Sequence, residues 1–140
     1  MRTMKGSSLT RKSVLIADDD PSVRFVVSRT VERLGCRVRV VEDGAEVPDA
    51  VCDEAFNLLV LDLYMPGMNG FEVLRQLRQH KVGLLPLRKT PANVRVLVLS
   101  SESNAASIEH ARAAGADAYL TKPFDVDELA HQVRTLLVGR

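Results

Sequence analysis

The sequence predicts an α/β domain built on a parallel β-sheet, and three observations lead to this fold class. Short apolar segments alternate five times with stretches of helical periodicity, giving the order βα repeated five times. The central segment, residues 58–61, is apolar throughout, as expected of a strand buried on both faces. Asp62 follows it directly, at the strand end where open α/β sheets place functional groups. Right-handed crossovers would then put helices on both faces of the sheet.

Each element is placed by its apolar pattern and by its start and stop signals. The strands are predicted at residues 13–17, 38–41, 57–61, 94–99 and 117–121. The second strand is expected at an edge of the sheet, because Arg37 and Arg39 alternate with its valines. The helices are predicted to begin after the caps Asp20, Asp43, Asn69 and Asp125, with a further helix over residues 105–114.

Two features interrupt this regular pattern. Pro48 lies inside the second predicted helix, where an interior proline costs about 3 kcal/mol, so this helix is expected to start late or to be kinked. The third helix is predicted to run to about His80, and residues 81–93 are predicted to form a longer loop than the others.

Charge is distributed unevenly along the chain. Residues 1–12 carry four basic and no acidic side chains, so the other 128 residues hold 15 basic and 18 acidic groups, a net charge of −3. We therefore predict a flexible basic tail at 1–12 and one domain at 13–140 that does not bind nucleic acid. Cys36 and Cys52 lack metal-site or redox spacing, and no apolar run approaches the roughly 20 residues of a membrane span. A cytoplasmic protein with free thiols and no membrane contact is expected.

Polar groups at the strand ends form the candidate site. The carboxyl ends of parallel strands share one edge, which would bring together Asp18, Asp19, Asp62, Ser100 and Lys122. Three carboxylates at ~4 Å repel one another by about 4 kcal/mol per pair, which a divalent cation relieves, and oxygen ligands suit Mg²⁺. Asp62 would then be a nucleophile for a phosphoryl group, with Lys122 and Ser100 stabilising the transferred charge.

Each of these residues also has an ordinary structural interpretation. Residues 18–20 would serve as a capping cluster, Ser100 as a helix cap, and Lys122 as a solvated lysine. Only their shared position at strand ends favours a functional site.

Five stretches of the chain resemble the receiver domain of two-component response regulators. They are VLIADDDP at 14–21, LD at 61–62 with MPGMNG at 65–70, Ser100, GA at 115–116, and YLTKPF at 119–124. The resemblance covers residues 13–138 and implies a flavodoxin-like (βα)5 fold with strand order 2-1-3-4-5.

The resemblance also implies a role for each site residue. Asp62 would accept a phosphoryl group from a sensor histidine kinase or a histidine phosphotransfer protein. Asp18 and Asp19 would form the acidic pair, with Asp19, Asp62 and the Tyr64 backbone carbonyl binding Mg²⁺ directly. Lys122 would contact the phosphoryl group and precede a cis peptide bond to Pro123.

Further implied roles concern the output of the domain. Ser100 and Tyr119 would form the switch, and Tyr64 and Glu102 would tune the lifetime of the phosphoryl group. Phosphorylation would alter the face made by the fourth helix, fifth strand and fifth helix, where a downstream protein or a second copy would bind. Such a domain is not an enzyme acting on an external substrate. Whether the domain stands alone or is cut from a longer regulator is left open by the sequence.

Two alternatives remain open at this point. A haloacid-dehalogenase-type phosphatase would use Asp18 as its nucleophile, although Asp125 and Asp127 fit its second acidic pair poorly. A pseudo-receiver would bind partners without phosphorylation.

Overall fold

A computed structural model of the protein describes residues 9–67, 69–79 and 88–138. Within them five parallel strands form one sheet in the order β2-β1-β3-β4-β5. The strands are β1 Ser13–Ala17, β2 Arg37–Val41, β3 Leu58–Asp62, β4 Arg95–Ser100 and β5 Ala118–Thr121. The predicted fold class and strand order are confirmed, and the arginine-bearing strand lies at the edge.

Within the described part of the chain, five helices cover the two faces of the sheet. They are α1 Pro21–Arg33, α2 Val47–Asp53, α3 Gly70–Arg78, α4 Ala105–Ala114 and α5 Val126–Val138. Alternate residues of β1 serve two cores, because Val14 and Ile16 pack with α1 and α5 while Leu15 and Ala17 pack with α2 and α3. Among the described residues, no helix has the length and apolar character needed to cross a membrane.

The second helix begins late, as Pro48 led us to expect. Asp43 caps a 3₁₀ turn, Gly44–Glu46, by accepting a hydrogen bond from the Ala45 amide at 2.9 Å. The α-helix itself starts at Val47, so Pro48 lies in its first turn. A first-turn residue has no intrahelical acceptor for its amide, and the missing N–H of proline therefore costs little there.

Several predicted boundaries differ from the structure. β3 includes Asp62 as its last residue, and α3 ends at Arg78, short of His80, which lies outside the described residues. α4 has the predicted bounds, Ala105–Ala114, and its cap is Asn104, whose side chain accepts from the Ser107 amide, so Ser100 does not cap a helix. The boundary at residue 13 stays a prediction, although Leu9 already packs into the core beside α1 and α5.

The described end of the long connection before β4 is fixed by buried polar contacts. Thr90 is fully buried; its Oγ1 donates to the Glu54 carbonyl at 2.6 Å and accepts from the Phe56 amide at 2.9 Å. Arg88 donates to the carbonyls of Thr90 at 2.6 Å and Leu77 at 2.9 Å. Residues 88–90 are thereby tied to the C-terminal ends of α2 and α3; the rest of the predicted loop, 81–87, lies outside the described residues.

Arg78 joins three segments at the amino-terminal ends of the strands, on the side of the sheet away from Asp62. Its guanidinium donates to the carbonyl of Ala92 at 2.8 Å and to those of Val94 and Gly115. It also pairs with Asp117 Oδ2 at 3.1 Å. One planar side chain therefore satisfies backbone groups from the connection before β4 and from the end of α4.

Replacing Arg78 with alanine is expected to lower the free energy of unfolding by about 2–4 kcal/mol, because several partly buried carbonyls lose their donor. Arg78→Lys should recover little, since one ammonium does not reproduce the fork of the guanidinium. Urea unfolding followed by circular dichroism measures both. Arg75→Ala is the control: its exposed pair with Glu72 is worth about 0.5 kcal/mol or less, and an equal loss in both variants would contradict the prediction.

Candidate functional site

The carboxyl edge of the sheet gathers three carboxylates. Asp18 follows β1 directly, Asp19 is next to it, and Asp62 ends β3. One carboxylate oxygen from each lies within 4.8 Å of the others. Asp18 is 0% and Asp62 5% exposed, whereas Asp19 is open to solvent. The proximity expected from the strand order is therefore present in the structure.

Lys122 supplies a positive charge to this cluster. Its Nζ lies 3.0 Å from Asp18 Oδ2 and 3.6 Å from Asp62 Oδ2. The side chain is only 20% exposed, and the peptide bond that follows it, to Pro123, is cis. The lysine thus lies between two buried carboxylates rather than in solvent.

One ammonium does not balance three carboxylates. Burial, together with the nearby charges of Asp18 and Asp19, raises the pKa of Asp62 from 3.8 to about 6 against the opposing effect of Lys122 and the Tyr64 amide. The site therefore has an unmet demand for positive charge. The three candidate ligands are all carboxylates, and oxygen donors at this spacing fit a hard divalent cation such as Mg²⁺.

Asp18 and Asp20 have different tasks in the loop after β1. Asp20 caps α1 and accepts hydrogen bonds from the hydroxyl and amide of Ser22, which lower its pKa. Asp18 Oδ1 accepts from the Asp20 amide at 2.9 Å. The capping interpretation of the acidic run is therefore right for Asp20, while Asp18 and Asp19 are left at the site.

Ser100, Glu102 and Tyr119 are linked by hydrogen bonds beside the cluster. Ser100 is fully buried, and its Oγ accepts from the Glu102 amide at 3.1 Å. The Tyr119 hydroxyl donates to the Glu102 carbonyl at 2.6 Å, and the Lys122 amide donates to the Ser100 carbonyl at 2.7 Å. The loop after β4 is thereby connected to β5 on one side and to the lysine on the other.

The loop after β3 carries an aromatic row that sequence reasoning did not find. Tyr64 is 51% exposed, and its amide donates to Asp62 Oδ1 at 3.3 Å. Its ring meets Phe71 edge to face at 6.4 Å, and Phe71 stacks on His110 of α4 at 4.1 Å. Gly70 makes the close approach of α3 to this loop feasible, because a Cβ there would lie 2.5 Å from the Leu63 Cα.

Sequence reasoning also missed Arg24. Its Nη1 donates to the Asp18 carbonyl at 2.9 Å from the first turn of α1. The available signal was weak: a basic residue six positions after Asp18, one of several arginines in that helix.

The molecule is thus a doubly wound α/β domain with three carboxylates and a lysine at the carboxyl edge of its sheet. The sequence model of the family described as response regulator receiver domain matches residues 14–134. The chain belongs to this family, and a receiver domain is a signalling domain.

Curated relatives and solved structures agree with this assignment. The chain is 36% identical over 126 residues to the sensory/regulatory protein RpfC of Xanthomonas campestris. This match covers 90% of this chain and 16% of that protein. It is 32% identical over 131 residues to the transcriptional regulatory protein GltR of Pseudomonas aeruginosa, 93% of this chain and 50% of the relative. It therefore spans half or less of these relatives.

Two solved structures match nearly end to end. The chemotaxis response regulator CheY4 of Vibrio cholerae has a TM-score of 0.78 and 28% identity, covering 91% of this chain and 100% of that chain. The receiver domain of the Francisella response regulator 1452 has a TM-score of 0.76 and 31% identity, covering 90% and 96%.

Proposed function

We propose that this domain is a Mg²⁺-dependent phosphoacceptor in which Asp62 takes a phosphoryl group from a histidine kinase or a histidine phosphotransfer protein. The observation that carries the proposal is the position of Asp62 itself. It is a buried carboxylate at the end of the central strand, within 4.8 Å of two others and 3.6 Å from the Lys122 ammonium. Membership of the receiver family supports the same chemistry.

The transfer would replace one bond to phosphorus by another. An Asp62 oxygen attacks the phosphorus, the new O–P bond forms, and the N–P bond to the donor imidazole breaks; the departing nitrogen takes a proton. Mg²⁺, bound by Asp19, Asp62 and the Tyr64 carbonyl with Asp18 beside them, would neutralise charge on the phosphoryl oxygens. Lys122 would hold one of these oxygens, and the Ser100 hydroxyl would donate to another.

Ser100 and Tyr119 would link phosphorylation of Asp62 to a change in the conformation of a nearby protein surface. Moving Ser100 toward the phosphoryl group would cost it the hydrogen bond with the Glu102 amide, and Tyr119 is bonded to the carbonyl of that same residue. Little packing opposes a movement of α4, because Ala111 is the only buried residue of this helix. We therefore expect α4, β5 and α5 to form the responsive face for a downstream protein or a second copy of the domain.

Tyr64 and Glu102 are proposed to set how long the phosphoryl group persists. Tyr64 lies two residues after the acceptor with half its surface exposed, and Glu102 lies two residues after Ser100. Side chains at these places would limit or assist the approach of water to the acyl phosphate.

The proposal predicts that wild-type protein incubated with acetyl phosphate gains the mass of one phosphoryl group, and gains it only with Mg²⁺ present. Intact-mass spectrometry is the direct measurement, because the chain has no tryptophan for a fluorescence assay. Borohydride reduction of the acyl phosphate, followed by peptide mapping, should mark Asp62. A label elsewhere, or none from either acetyl phosphate or a phosphorylated histidine donor, would refute the acceptor role and favour a pseudo-receiver.

The position of Asp125 disfavours the phosphatase alternative. That mechanism requires a second acidic pair at the site besides Asp18 and its neighbours. Asp125, a candidate for the second acidic pair, instead accepts from the Asp127 amide at the start of α5.

A further inference from the structure

Arg24 bridges the ends of two strands beside the acidic cluster. Its side chain is 17% exposed; Nη1 donates to the Asp18 carbonyl at 2.9 Å, and Nη2 lies 3.9 Å from Glu42 Oε2, just beyond β2. The arginine therefore reaches from the first turn of α1 over the loop that holds Asp18 and Asp19.

The hydrogen bond from Arg24 completes the fixation of Asp18. The Asp18 amide donates to the Val41 carbonyl at 3.2 Å, Oδ1 accepts from the Asp20 amide, and Oδ2 is paired with Lys122. Only the carbonyl remains, and Arg24 holds it. That carbonyl belongs to the peptide group joining Asp18 to Asp19, so its orientation constrains the backbone from which the exposed Asp19 carboxylate projects.

We propose that Arg24 is a positioning residue for the cation of the acidic cluster: it fixes the Asp18–Asp19 peptide so that the Asp19 carboxylate lies with that of Asp62. The inference rests on the proposed function, since it concerns the same Mg²⁺. Partners that orient metal ligands from outside commonly change metal affinity tenfold or more when removed.

Because Arg24 is positively charged, a positioning role and a purely electrostatic role predict opposite changes in Mg²⁺ affinity when it is removed. A guanidinium near a cation site repels the cation, so a purely electrostatic Arg24 would weaken Mg²⁺ binding, and its removal would tighten binding. A positioning Arg24 has the opposite effect, because removal releases the Asp19 peptide and weakens binding. The direction of the change therefore separates the two roles.

The test is a titration of MgCl₂ into ¹⁵N-labelled protein, followed by the amide signals of Asp62 and Tyr64. Arg24→Met removes charge and donors while keeping the length of the stem, and Arg24→Gln serves if the methionine variant does not fold. Arg29→Met on the same helix is the matched control, because Arg29 lies over the Phe25 ring. We expect a Mg²⁺ dissociation constant about tenfold higher in the Arg24 variants and unchanged in the Arg29 variant.

A second readout locates the effect. The carbonyl ¹³C signal of Asp18 should shift in the Arg24 variants before any Mg²⁺ is added, which a general loss of stability would not produce selectively. Equal or tighter Mg²⁺ binding in a folded Arg24 variant would overturn the positioning role and leave the phosphoacceptor proposal intact. Absence of Mg²⁺ binding in the wild type would instead overturn the cation site, and this inference with it.

Discussion

Asp62→Asn is expected to abolish phosphoryl uptake from acetyl phosphate and, without divalent cations, to stabilise the folded domain by about 1–3 kcal/mol at pH 7. The loss of uptake follows because an amide oxygen is not a nucleophile for phosphorus at neutral pH. The gain in stability follows because the substitution removes an ionised group that is buried beside Asp18 and Asp19.

The pH dependence of this gain has a definite sign. The pKa of Asp62 is raised from 3.8 to about 6, so the folded state holds this proton more tightly than the unfolded state does. The contribution of Asp62 to the free energy of unfolding of the wild type therefore falls as the pH rises from about 4 to about 6, by at most about 3 kcal/mol at 1.4 kcal/mol per pKa unit. Water at the open rim of the site reduces this value. The asparagine variant has no such proton, so its advantage is near zero below about pH 4 and largest above about pH 6.

Urea unfolding of both proteins from about pH 3.5 to 7.5, followed by circular dichroism in EDTA, measures the difference. Asp53→Asn is the matched control, since Asp53 is an exposed aspartate at the end of α2. Added Mg²⁺ should stabilise the wild type alone and narrow the gap at pH 7. An Asp62→Asn variant that is less stable than the wild type at pH 7 would contradict the prediction, as would a stability difference that grows as the pH falls. Either result would show that the ionised Asp62 carboxylate does not destabilise the cation-free domain.

The part of the site that could be predicted from sequence is the part fixed by strand order. Asp18 and Asp62 are 44 residues apart, yet each directly ends a buried apolar strand, and in a parallel sheet such ends share one edge. Pro48 was informative for a similar reason, because proline restricts the backbone wherever it stands. In both cases a local rule determined the position without knowledge of distant contacts.

The contacts that could not be predicted depend on side-chain reach across loops. Arg78 meets the Gly115 carbonyl 37 residues away, and Thr90 meets the Glu54 carbonyl 36 residues away. Nothing in the residue types marks these pairs, because any arginine or threonine near a loop end is chemically able to donate. Arg24 is the same case at the functional site. Its partner is a backbone carbonyl, which every residue has, so no pattern of side chains identifies it.

Removing the positive charge of the site should destabilise the folded domain strongly. Lys122→Met is expected to lower the free energy of unfolding by about 3–5 kcal/mol at pH 7 without Mg²⁺, because it leaves the fully buried Asp18 and its neighbour Asp62 without their ammonium partner. Phosphoryl uptake should slow by about 10²-fold or more, since the transferred group loses one of its charge-stabilising contacts.

Adding Mg²⁺ tests whether the lysine and the cation neutralise the same carboxylates. If the lysine and the cation neutralise the same carboxylates, Mg²⁺ should stabilise Lys122→Met more than it stabilises the wild type, and part of the loss should be recovered. Urea midpoints with MgCl₂ and with EDTA give the comparison, and Lys89→Met, at an exposed lysine before β4, is the control. An equal Mg²⁺ effect in all three proteins would mean that lysine and cation act on separate groups. The Asp18–Lys122 pair would then be a structural contact rather than part of the phosphoryl site.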